Sequence, residues 1–468
     1  MKNRSWRSCC ALALLTCVIP IVASGCGKTF FFAGRNLPPS GIANRALVAI
    51  QNASVTGTGS LQILDAFYDV RHSFNNKTPS FFISGFSGTQ PQTIQNMPAE
   101  RLGAVYSAGN GSLSLVNYAA ENLTASVANL PSSSSSIFIS TDDRFVFSTN
   151  PTQHTVTVLD RLLSTSYPLN LPGAFNVSIN PAATVALVFV QNSNAVYSVF
   201  RLQSNQPAPP GAQDCEPQNL PVYCLLPVTS GVTSGTFDRP VKAVFSSDGN
   251  TAYVLNCGFE CGGTQASVTF LPTAGVLIQS GAPVPPGTNT AAGSPIPIPG
   301  GVTDALVNAG TLYLAGQQFQ KGDQLFAGFL TAFDTATQKI TGTYSISDGT
   351  HTKMILGDNN TLWIGSQQCT TGERYHQSQT GANVQFGCLT MFNTSTNSVT
   401  AIDSYKGDAT GIASITGLSK VYTTEGGQVF IYTTTTGATL DNSNVTVVGT
   451  ASDVTYMDAP SDENNTYY

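Results

Sequence analysis

The sequence predicts an all-β fold, and three observations indicate it. Charged residues make up 10% of the 468 residues, against roughly 25% in an average globular protein, which leaves little room for long charged helices. The chain contains 43 glycines and 26 prolines. Short runs rich in Val, Ile, Tyr, Phe and Thr alternate with clusters of turn residues, a pattern typical of strands. This unit of four short strands recurs along the chain, and radial repetition of such units forms a β-propeller.

Eight copies of the second strand of the unit predict a single propeller of eight four-stranded blades, with seven blades as the alternative. The clearest copy places an inner strand and its partner within 136–150, a third strand at 154–160 and a fourth strand from 164 onwards. The chain beyond residue 25 divided by eight gives about 55 residues per unit, close to blade periods of roughly 40–50 residues plus insertions.

The C-terminal segment predicts how the ring closes. The first unit begins at Ala46 without an inner strand before it, whereas Asp453-Val-Thr-Tyr-Met-Asp458 has the inner-strand pattern and no second strand after it. We therefore expect this final strand to pair with residues 46–51, which removes the last free edge of the ring. The predicted propeller spans 44–460, and the polar segment 461–468 is predicted to be a frayed tail.

The repeating unit resembles a known family of propeller repeats. Ser247-Asp248-Gly249 forms a predicted hairpin turn, and Thr251-Ala-Tyr-Val-Leu-Asn256 follows it as a strand. These residues resemble the Tyr-Val-Thr-Asn type repeats of bacterial surface and periplasmic proteins, and more distantly the lactonase-like propellers. The Pro-Asp-Gly turn usual in the family appears here as Ser-Asp-Gly or in degraded forms. The resemblance covers most of 45–460; it implies the propeller fold and says little about function.

Residues 1–25 are predicted to be a signal peptide. Basic residues at the start precede an apolar run that is too short to span a membrane. The run ends in Ala-Ser-Gly-Cys26, which resembles the lipobox of bacterial lipoproteins. The resemblance implies a lipid on Cys26, a tether over 26–43 and a location in the cell envelope. The residue after Cys26 is Gly27 rather than Asp, and in this the sequence resembles lipoproteins that are sorted to the outer membrane or face the periplasm. Ordinary secretion with a free Cys26 thiol is the alternative, and sequons such as Asn122-Leu-Thr leave a eukaryotic secreted protein open.

Six cysteines beyond the signal peptide fall into three close pairs. After a signal peptide, an even number of cysteines predicts disulfides. Six cysteines allow fifteen connectivities, and proximity in the chain favours three local ones. Metal binding is disfavoured because Cys257-Gly-Phe-Glu-Cys261 lacks the two-residue zinc spacing and a nearby histidine. The favoured pairs are Cys215 with Cys224, Cys257 with Cys261, and Cys369 with Cys388.

Long insertions are predicted on one face of the ring. We call the four strands of a blade A to D; neighbouring strands run antiparallel. The B–C loops and the D–A connections then lie on one face of the ring, which we call the loop face. The A–B and C–D turns lie on the opposite face, which we call the turn face. Binding sites concentrate on loops that a rigid scaffold supports, so we expect function on the loop face, with neutral drift of the insertions as the alternative. The predicted loop-face insertions are 83–98, 204–239, 257–265, 281–301, 317–326 and 367–387. All three cysteine pairs belong to them, with Cys388 directly after the last range.

One aligned position of the inner strands predicts a ring of polar residues at the loop-face mouth of the central channel. Such a funnel would suit a small polar ligand or a peptide, and mutual ion pairing that only solvates the channel is the alternative. The charged ring residues are Lys242, Asp304, Lys353 and Asp453, and the others are Ser136, Asn176 and Gly411. Further candidate binding residues are His351 near Lys353, and Arg374 and His376 in the loop between Cys369 and Cys388.

Composition and motifs limit the classes of function that the sequence allows. A net charge of −6 provides no basic surface for a nucleic acid. The sequence contains no Gly-x-Ser-x-Gly elbow, no His-Glu-x-x-His and no phosphate-binding loop. We predict an exported, lipid-anchored propeller that binds a protein, a peptide or a small polar ligand on the loop face, without catalytic residues, metal or cofactor. The alternatives are a lactonase-like hydrolase, which requires a cluster of acidic, His and Arg side chains or metal ligands at the channel mouth, and a structural cell-surface protein.

Overall fold

The computed structural model describes residues 38–52, 57–71, 81–127, 130–202, 208, 211–216, 222–228, 236–278, 292–382, 384 and 386–460. The predicted signal peptide, the predicted lipidation site Cys26 and the predicted tail 461–468 lie outside the described residues and stay predictions. Within the described ranges, no helix is long and apolar enough to cross a lipid bilayer.

The strands form eight antiparallel sheets, which are the blades of an eight-bladed β-propeller. Strands A to D follow one another from the central channel outwards in each blade, and blade 4 has a fifth strand outside strand D. The prediction of an all-β propeller with eight blades rather than seven is confirmed.

In the order A to D, the strands of blade 1 are Thr450–Tyr456, Arg45–Gln51, Ser60–Asp65 and Phe81–Phe82, and those of blade 2 are Pro91–Met97, Leu102–Ser107, Ser112–Asn117 and Asn122–Val127. Blade 3 consists of Ser136–Ile139, Phe145–Asn150, Thr155–Asp160 and Thr165–Asn170, and blade 4 of Ala174–Ile179, Ala186–Val190, Val196–Leu202 and Val222–Pro227, with Gln213–Glu216 as the fifth strand. Blade 5 consists of Pro240–Phe245, Thr251–Asn256, Ser267–Pro272 and Ile296–Pro297, and blade 6 of Asp304–Asn308, Thr311–Gln320, Leu325–Asp334 and Lys339–Ser345. Blade 7 consists of Thr350–Gly357, Thr361–Gln367, Leu389–Asn393 and Ser398–Ile402, and blade 8 of Ala409–Ile415, Lys420–Glu425, Gln428–Thr433 and Thr439–Val445.

Helical segments lie in the connections. Within the described residues there is one α-helix, α1 (Glu373–Gln379), in the B–C loop of blade 7. The 3₁₀ segments are Pro98–Glu100, Gly258–Cys261, Thr273–Gly275 and Cys369–Thr371.

The strands are apolar on both faces because each blade packs between two others. Successive side chains of a strand point to opposite faces. In strand B of blade 3, Val146 packs in the cluster shared with blade 2, whereas its neighbour Phe147 packs in the cluster shared with blade 4. Both side chains are buried. The core is therefore a series of inter-blade layers around the ring, which explains the nearly continuous apolar runs in the sequence.

The ring closes as predicted. The final strand, Thr450–Tyr456, pairs antiparallel with Arg45–Gln51 and becomes strand A of blade 1, with Val48 opposite Val454 and Ala46 opposite Tyr456. The chain ends therefore meet inside one blade, and the inner edge of that blade is paired.

A buried charge cluster, the seam clasp, reinforces the closure. The Arg45 guanidinium lies 2.5 Å from Asp458 Oδ1 and 3.0 Å from Glu121 Oε1, and it donates a hydrogen bond to the carbonyl of Tyr118. Ser40 donates its backbone N–H and its hydroxyl to Glu121, each at 2.6 Å. The clasp connects the segment before the first strand, blade 2 and the segment after the last strand. The described part of the predicted tether, residues 38–43, thus lies against the ring, where Ile42 is buried.

The predicted distribution of insertions is wrong in part, because long C–D connections also leave the turn face. They comprise residues 66–80 in blade 1, 203–221 in blade 4 and 273–295 in blade 5. The predicted D–A connections 204–239 and 281–301 in fact contain strand D of blades 4 and 5, and 83–98 contains strand A of blade 2. Strand A of blade 2 is mainly polar and strand D of blade 5 has two residues, so alternation does not mark them, whereas strand D of blade 4 is apolar but follows a connection of 19 residues.

The three predicted disulfides are present. Cys257–Cys261 and Cys369–Cys388 close B–C loops on the loop face. Cys215–Cys224 lies elsewhere than predicted: it joins strand D of blade 4 to the fifth strand at the outer edge of that blade.

Candidate functional site

The inner strands bring one residue from each blade to the loop-face mouth of the channel. In six blades, strand A carries a β-bulge just before this position, so that two of its residues face one residue of strand B. A bulge re-aims the side chain beside it, which gives the ring a common geometry. Thr93 is the ring residue that the sequence did not predict, because its mainly polar strand lacks the apolar inner-strand pattern of the other units. The ring residues of blades 1 to 8 are Asp453, Thr93, Ser136, Asn176, Lys242, Asp304, Lys353 and Gly411.

The four charged residues of the ring form two ion pairs. Lys242 Nζ of blade 5 lies 2.5 Å from Oδ1 of Asp304 in blade 6. Lys353 Nζ of blade 7 lies 3.7 Å from Oδ2 of Asp453 in blade 1, so this side chain passes across blade 8. The ring residue of blade 8 is Gly411, where a Cβ atom would lie 2.3 Å from Asp453 Oδ1. The absence of a side chain at Gly411 is therefore what allows this longer pair to form.

Asp453 is a buried member of the ring. Its carboxylate accepts hydrogen bonds from the backbone N–H groups of Ile94, at 2.8 Å, and Val454, at 3.0 Å. Burial raises the pKa of Asp453, and the Lys353 ammonium opposes that rise. Asn176 similarly donates its side-chain amide to the carbonyl of Val241 in the next blade, at 2.8 Å. These contacts connect neighbouring inner strands, so the ring has a structural role; its predicted role in binding stays a prediction.

The structure separates His351 from the charges of the ring. The imidazole is fully buried, and its Nε2 lies 2.9 Å from the carbonyl of Ser347. Burial lowers the pKa of His351 to about 4, and the positive charge of Arg374 acts in the same direction. His351 is therefore a neutral residue that packs behind the mouth.

Arg374 and His376 occupy opposite sides of helix α1. Arg374 is buried, its backbone N–H donates to Asp348 Oδ2 at 2.8 Å, and its guanidinium donates to the Ser345 hydroxyl. The other carboxylate oxygen of Asp348 accepts the backbone N–H of Gly328 at 2.6 Å. Arg374 thus fixes the loop of blade 7 against blade 6, whereas His376 is exposed to solvent.

The loop face of blades 5 to 7 forms a projecting surface, which we call the aromatic crest. It comprises the loop 257–266, the hairpin of blade 6 (Thr311–Gln320 and Leu325–Asp334), the loop 368–388 and the adjoining connection 403–408 between blades 7 and 8. Strand A of blade 6 pairs with this hairpin only as far as Ala315. The segment before strand A still donates the N–H of Gly301 to the carbonyl of Gln317, at 2.7 Å. The three residues from 318 to 320 therefore extend roughly 10 Å beyond the blade, at about 3.3 Å per residue. The predicted insertion 317–326 is thus an extension of two paired strands rather than a loop.

Buried polar contacts brace the crest. Glu260, in the loop closed by Cys257–Cys261, accepts the backbone N–H of Gln317 at 2.8 Å and its side-chain amide at 3.1 Å. Burial raises the pKa of Glu260 to about 7. The side-chain oxygen of Gln317 in turn accepts the N–H of Gly349 at 3.2 Å. Consecutive blades therefore hold the base of the hairpin in one arrangement.

Two groups of aromatic side chains lie on the crest. In the first, the ring centroids of Phe259 and Phe319 are 5.0 Å apart, and those of Phe319 and Phe326 are 5.3 Å apart. In the second, Phe386 lies 5.3 Å from Tyr375 and stacks on Tyr405 at 5.7 Å. Phe259 is 53% exposed and Tyr405 is 45% exposed.

The aromatic groups are the functional candidates that sequence reasoning missed. A usable signal was present, because Phe259 lies inside the Cys257–Cys261 loop and Phe386 lies two residues before Cys388. Large apolar side chains in short disulfide loops have little core to enter, so they signal surface contacts.

A buried acidic group lies at the loop-face end of blade 8. The Tyr432 hydroxyl is 2.8 Å from both Glu425 Oε1 and Asp403 Oδ2, and Lys406 Nζ lies 3.0 Å from Asp403. Burial raises the pKa of Glu425 to about 7. The carboxyl of Glu425 therefore takes up a proton near neutral pH.

One group of side chains in the described part of the chain has the composition of a metal site: Cys369, Cys388 and Asp408. Both of its sulfur atoms are joined in the disulfide, so they are not available as thiolate ligands.

Comparisons with known proteins agree with the fold. No protein-family model matches the chain, and no curated protein matches it by sequence. Among solved structures, it is similar to dihydro-heme d1 dehydrogenase NirN in complex with DHE, with a TM-score of 0.50 and 13% identity over 88% of this chain and 75% of that one. It is also similar to Kuenenia stuttgartiensis hydrazine synthase (TM-score 0.48, 14% identity, 76% of this chain and 100% of that one). A third similar structure is apo AztD from Citrobacter koseri (TM-score 0.45, 10% identity, 88% of this chain and 98% of that one). At 13% identity, the similarity to NirN shows the fold alone, which is the β-propeller. Membership of the Tyr-Val-Thr-Asn propeller lipoproteins stays a prediction.

Proposed function

We propose that this protein is an exported, lipid-anchored propeller that binds a protein or peptide partner through the aromatic crest. The observation that carries the proposal is the exposure of two aromatic side chains on braced loops. Phe259 lies in the loop closed by Cys257–Cys261, and Tyr405 stacks on Phe386 of the loop closed by Cys369–Cys388. Aromatic side chains are enriched in protein interfaces and dominate their binding energy.

The shape of the crest favours a macromolecular partner over a small molecule. Small ligands bind in concave pockets, whereas the hairpin of blade 6 projects from the ring. Its tip, residues 321–324, is polar and exposed, which is typical of an interface rim around an apolar centre. Because the crest is already braced, binding would lose little conformational entropy on ordering the loops.

The charged ring favours binding over the hydrolase alternative. The side chains of Lys242, Asp304, Lys353 and Asp453 pair with one another at the channel mouth. The described mouth residues thus form ion pairs, where a hydrolase would need acidic, His and Arg groups that converge on one substrate atom.

Site-specific photocrosslinking in living cells tests the binding proposal. A benzophenone amino acid replaces Phe259 or Tyr405 in turn, and Leu162, which is 75% exposed on the turn face, serves as the control position. We expect the same crosslinked partner from both crest positions and none of it from position 162. Phe259→Ala should then weaken binding of the purified partner by about 30-fold, the effect of a 2 kcal/mol hot spot, whereas Leu162→Ala should leave it unchanged. Equal crosslinking from all three positions would refute the crest as the binding surface.

Fractionation tests the anchor separately. In the native host, Cys26→Ser should move the protein from the membrane fraction to the soluble fraction, since one cysteine carries the lipid. Retention of the variant in the membrane fraction would contradict the lipid anchor without bearing on the crest.

A further inference from the structure

A cavity of about 380 Å³ lies between blades 3 and 4 at the turn face, away from the crest. Pockets for small molecules typically enclose about 300–1,000 Å³ and have mainly apolar walls. We propose that this cavity is a binding site for a flat, mainly apolar organic molecule of one or two rings that carries one hydrogen-bonding group. The lining residues are Phe145, Phe147, Ala183, Thr184, Tyr223 and Ile278.

An insertion from blade 5 builds one wall of the cavity. Strands B and C of blade 4 pair through only three residue pairs, from Phe189–Val196 to Leu187–Ser198. Beyond them, Ile278 enters between the two strands: its N–H donates to the carbonyl of Thr184, and its carbonyl accepts the N–H of Arg201, both at 2.7 Å. The C–D connection of blade 5 therefore wedges blade 4 open at the turn face and places Ile278 at the gap.

The disulfide Cys215–Cys224 supports the opposite wall. Tyr223 precedes Cys224 in strand D of blade 4, and its ring centroid lies 5.1 Å from that of Tyr167 in blade 3. The disulfide fixes this strand to the fifth strand. Two of the long turn-face connections thus converge on one inter-blade gap, which indicates a constructed cavity rather than a packing defect.

The walls suit an aromatic guest. Phe145, Phe147 and Tyr223 contribute three rings to the lining, and aromatic rings stack favourably with one another at centroid distances of about 4.5–7 Å. An engineered apolar cavity of about 150 Å³ binds benzene, and this cavity has more than twice that volume. Thr184 is exposed at its rim, which provides the route of entry.

Tyr223 supplies the polar contact. Its hydroxyl makes no hydrogen bond within the described residues, although the side chain is buried. Burial raises the pKa of Tyr223 to about 12, so the phenol stays a hydrogen-bond donor at physiological pH. Two guanidinium groups lie beside the lining rings: Arg144 is 4.7 Å from the centroid of Phe145, and Arg201 is 6.0 Å from that of Tyr223. A guest with an acceptor oxygen would therefore find a donor at the end of an aromatic slot.

Titration with 2-naphthol, followed by its own fluorescence and by calorimetry, tests the proposal. We expect one molecule to bind per chain. Tyr223→Phe removes only the hydroxyl and should weaken binding threefold to tenfold, the effect of one hydrogen bond. The matched control is Tyr167→Phe, which removes the hydroxyl of the neighbouring ring outside the lining and should leave the affinity unchanged. Thr184→Trp should block the rim and abolish binding.

Three outcomes would overturn the proposal: no binding of 2-naphthol up to its solubility limit, equal affinities of Tyr223→Phe and wild type, or undiminished binding by a folded Thr184→Trp protein. If Thr184→Trp does not fold, as judged by its thermal transition, the comparison of Tyr223→Phe with Tyr167→Phe decides alone. Because the cavity and the crest lie on opposite faces, none of these results depends on the partner proposed above.

Discussion

The seam clasp predicts that a single substitution at the ring closure destabilises the whole propeller. Arg45 has 6% of its side chain exposed, and its partners Glu121 and Asp458 have 5% and 25% exposed. Arg45→Met keeps most of the buried apolar stem and removes the charge, which leaves two carboxylates without their cation. Removing one partner of a buried ion pair costs about 3–5 kcal/mol, so we expect a loss in the free energy of unfolding of about this size.

The expected change in melting temperature follows from the size of the protein. Unfolding entropy of about 2.1 cal/mol/K per residue, over the roughly 420 residues between 38 and 460, gives about 0.9 kcal/mol/K. The loss of about 3–5 kcal/mol then corresponds to a melting temperature about 3–6 °C lower, which differential scanning calorimetry measures directly.

Two further variants separate loss of charge balance from loss of packing. Arg101→Met changes an exposed arginine that makes no ion pair within the described residues and should melt within about 1 °C of wild type, since isolated surface substitutions cost little. The triple variant Arg45→Met/Glu121→Gln/Asp458→Asn has no uncompensated charge and should recover part of the lost stability. A single Arg45→Met variant that melts with wild type, or a triple variant that is less stable than the single one, would refute the reasoning.

Three other predictions concern the ring and two buried titratable groups. Gly411→Val should lower the free energy of unfolding by about 1–3 kcal/mol through overpacking against Asp453, whereas Gly322→Val at the open hairpin tip should have no effect in urea unfolding; equal losses would contradict the crowding. The carboxyl of Glu425 has its pKa raised from 4.5 to about 7, so its protonated form stabilises the fold below pH 4.5 and this contribution is lost as the pH rises through 7. Urea midpoints should therefore show Glu425→Gln gaining up to about 3 kcal/mol relative to wild type between pH 4.5 and 7, and a constant difference across that window would exclude the effect. His351 acts in the opposite direction: its pKa is lowered from 6.5 to about 4, so its contribution is complete above pH 6.5 and falls as the pH drops toward 4. His351→Asn should remove that acid-side loss, and an unchanged slope of stability between pH 6.5 and 4 would show that the histidine is not its source.

The prediction of the blades succeeded because the information that defines them is local. In blade 3, successive side chains of the runs 145–150 and 155–160 point alternately to the two neighbouring blades. Both runs therefore carry apolar side chains for both neighbours, and this is visible in their own sequence. Closure by residues 450–456 was predictable for the same reason, since an inner strand without a partner and a partner without an inner strand are both visible in the sequence. Short sequence separation likewise revealed the three disulfides.

The sequence predicted where the charged residues of the candidate site lie, but not which contacts they make. Alignment of the inner strands located Lys242, Asp304, Lys353 and Asp453 on one ring, but it could not show which charges pair. The Lys353–Asp453 pair passes across a blade because Gly411 leaves room for it, a contact between residues that are 100 positions apart. His351 and Lys353 are two residues apart in sequence, yet one is buried and the other reaches the mouth, because a bulge separates them.

The amino-acid sequence by itself thus determined the strand period, the number of blades, the way the ring closes and the cysteine pairs, because each depends on patterns within a few tens of residues. Only the tertiary structure decided which face each insertion leaves, since strand D of blades 4 and 5 is reached after connections of about twenty residues whose course depends on packing and not on local propensity. The aromatic crest and the cavity beside Tyr223 arise in the same way. Each is assembled from segments of different blades, and the distance between such segments is set by how the blades pack around the ring.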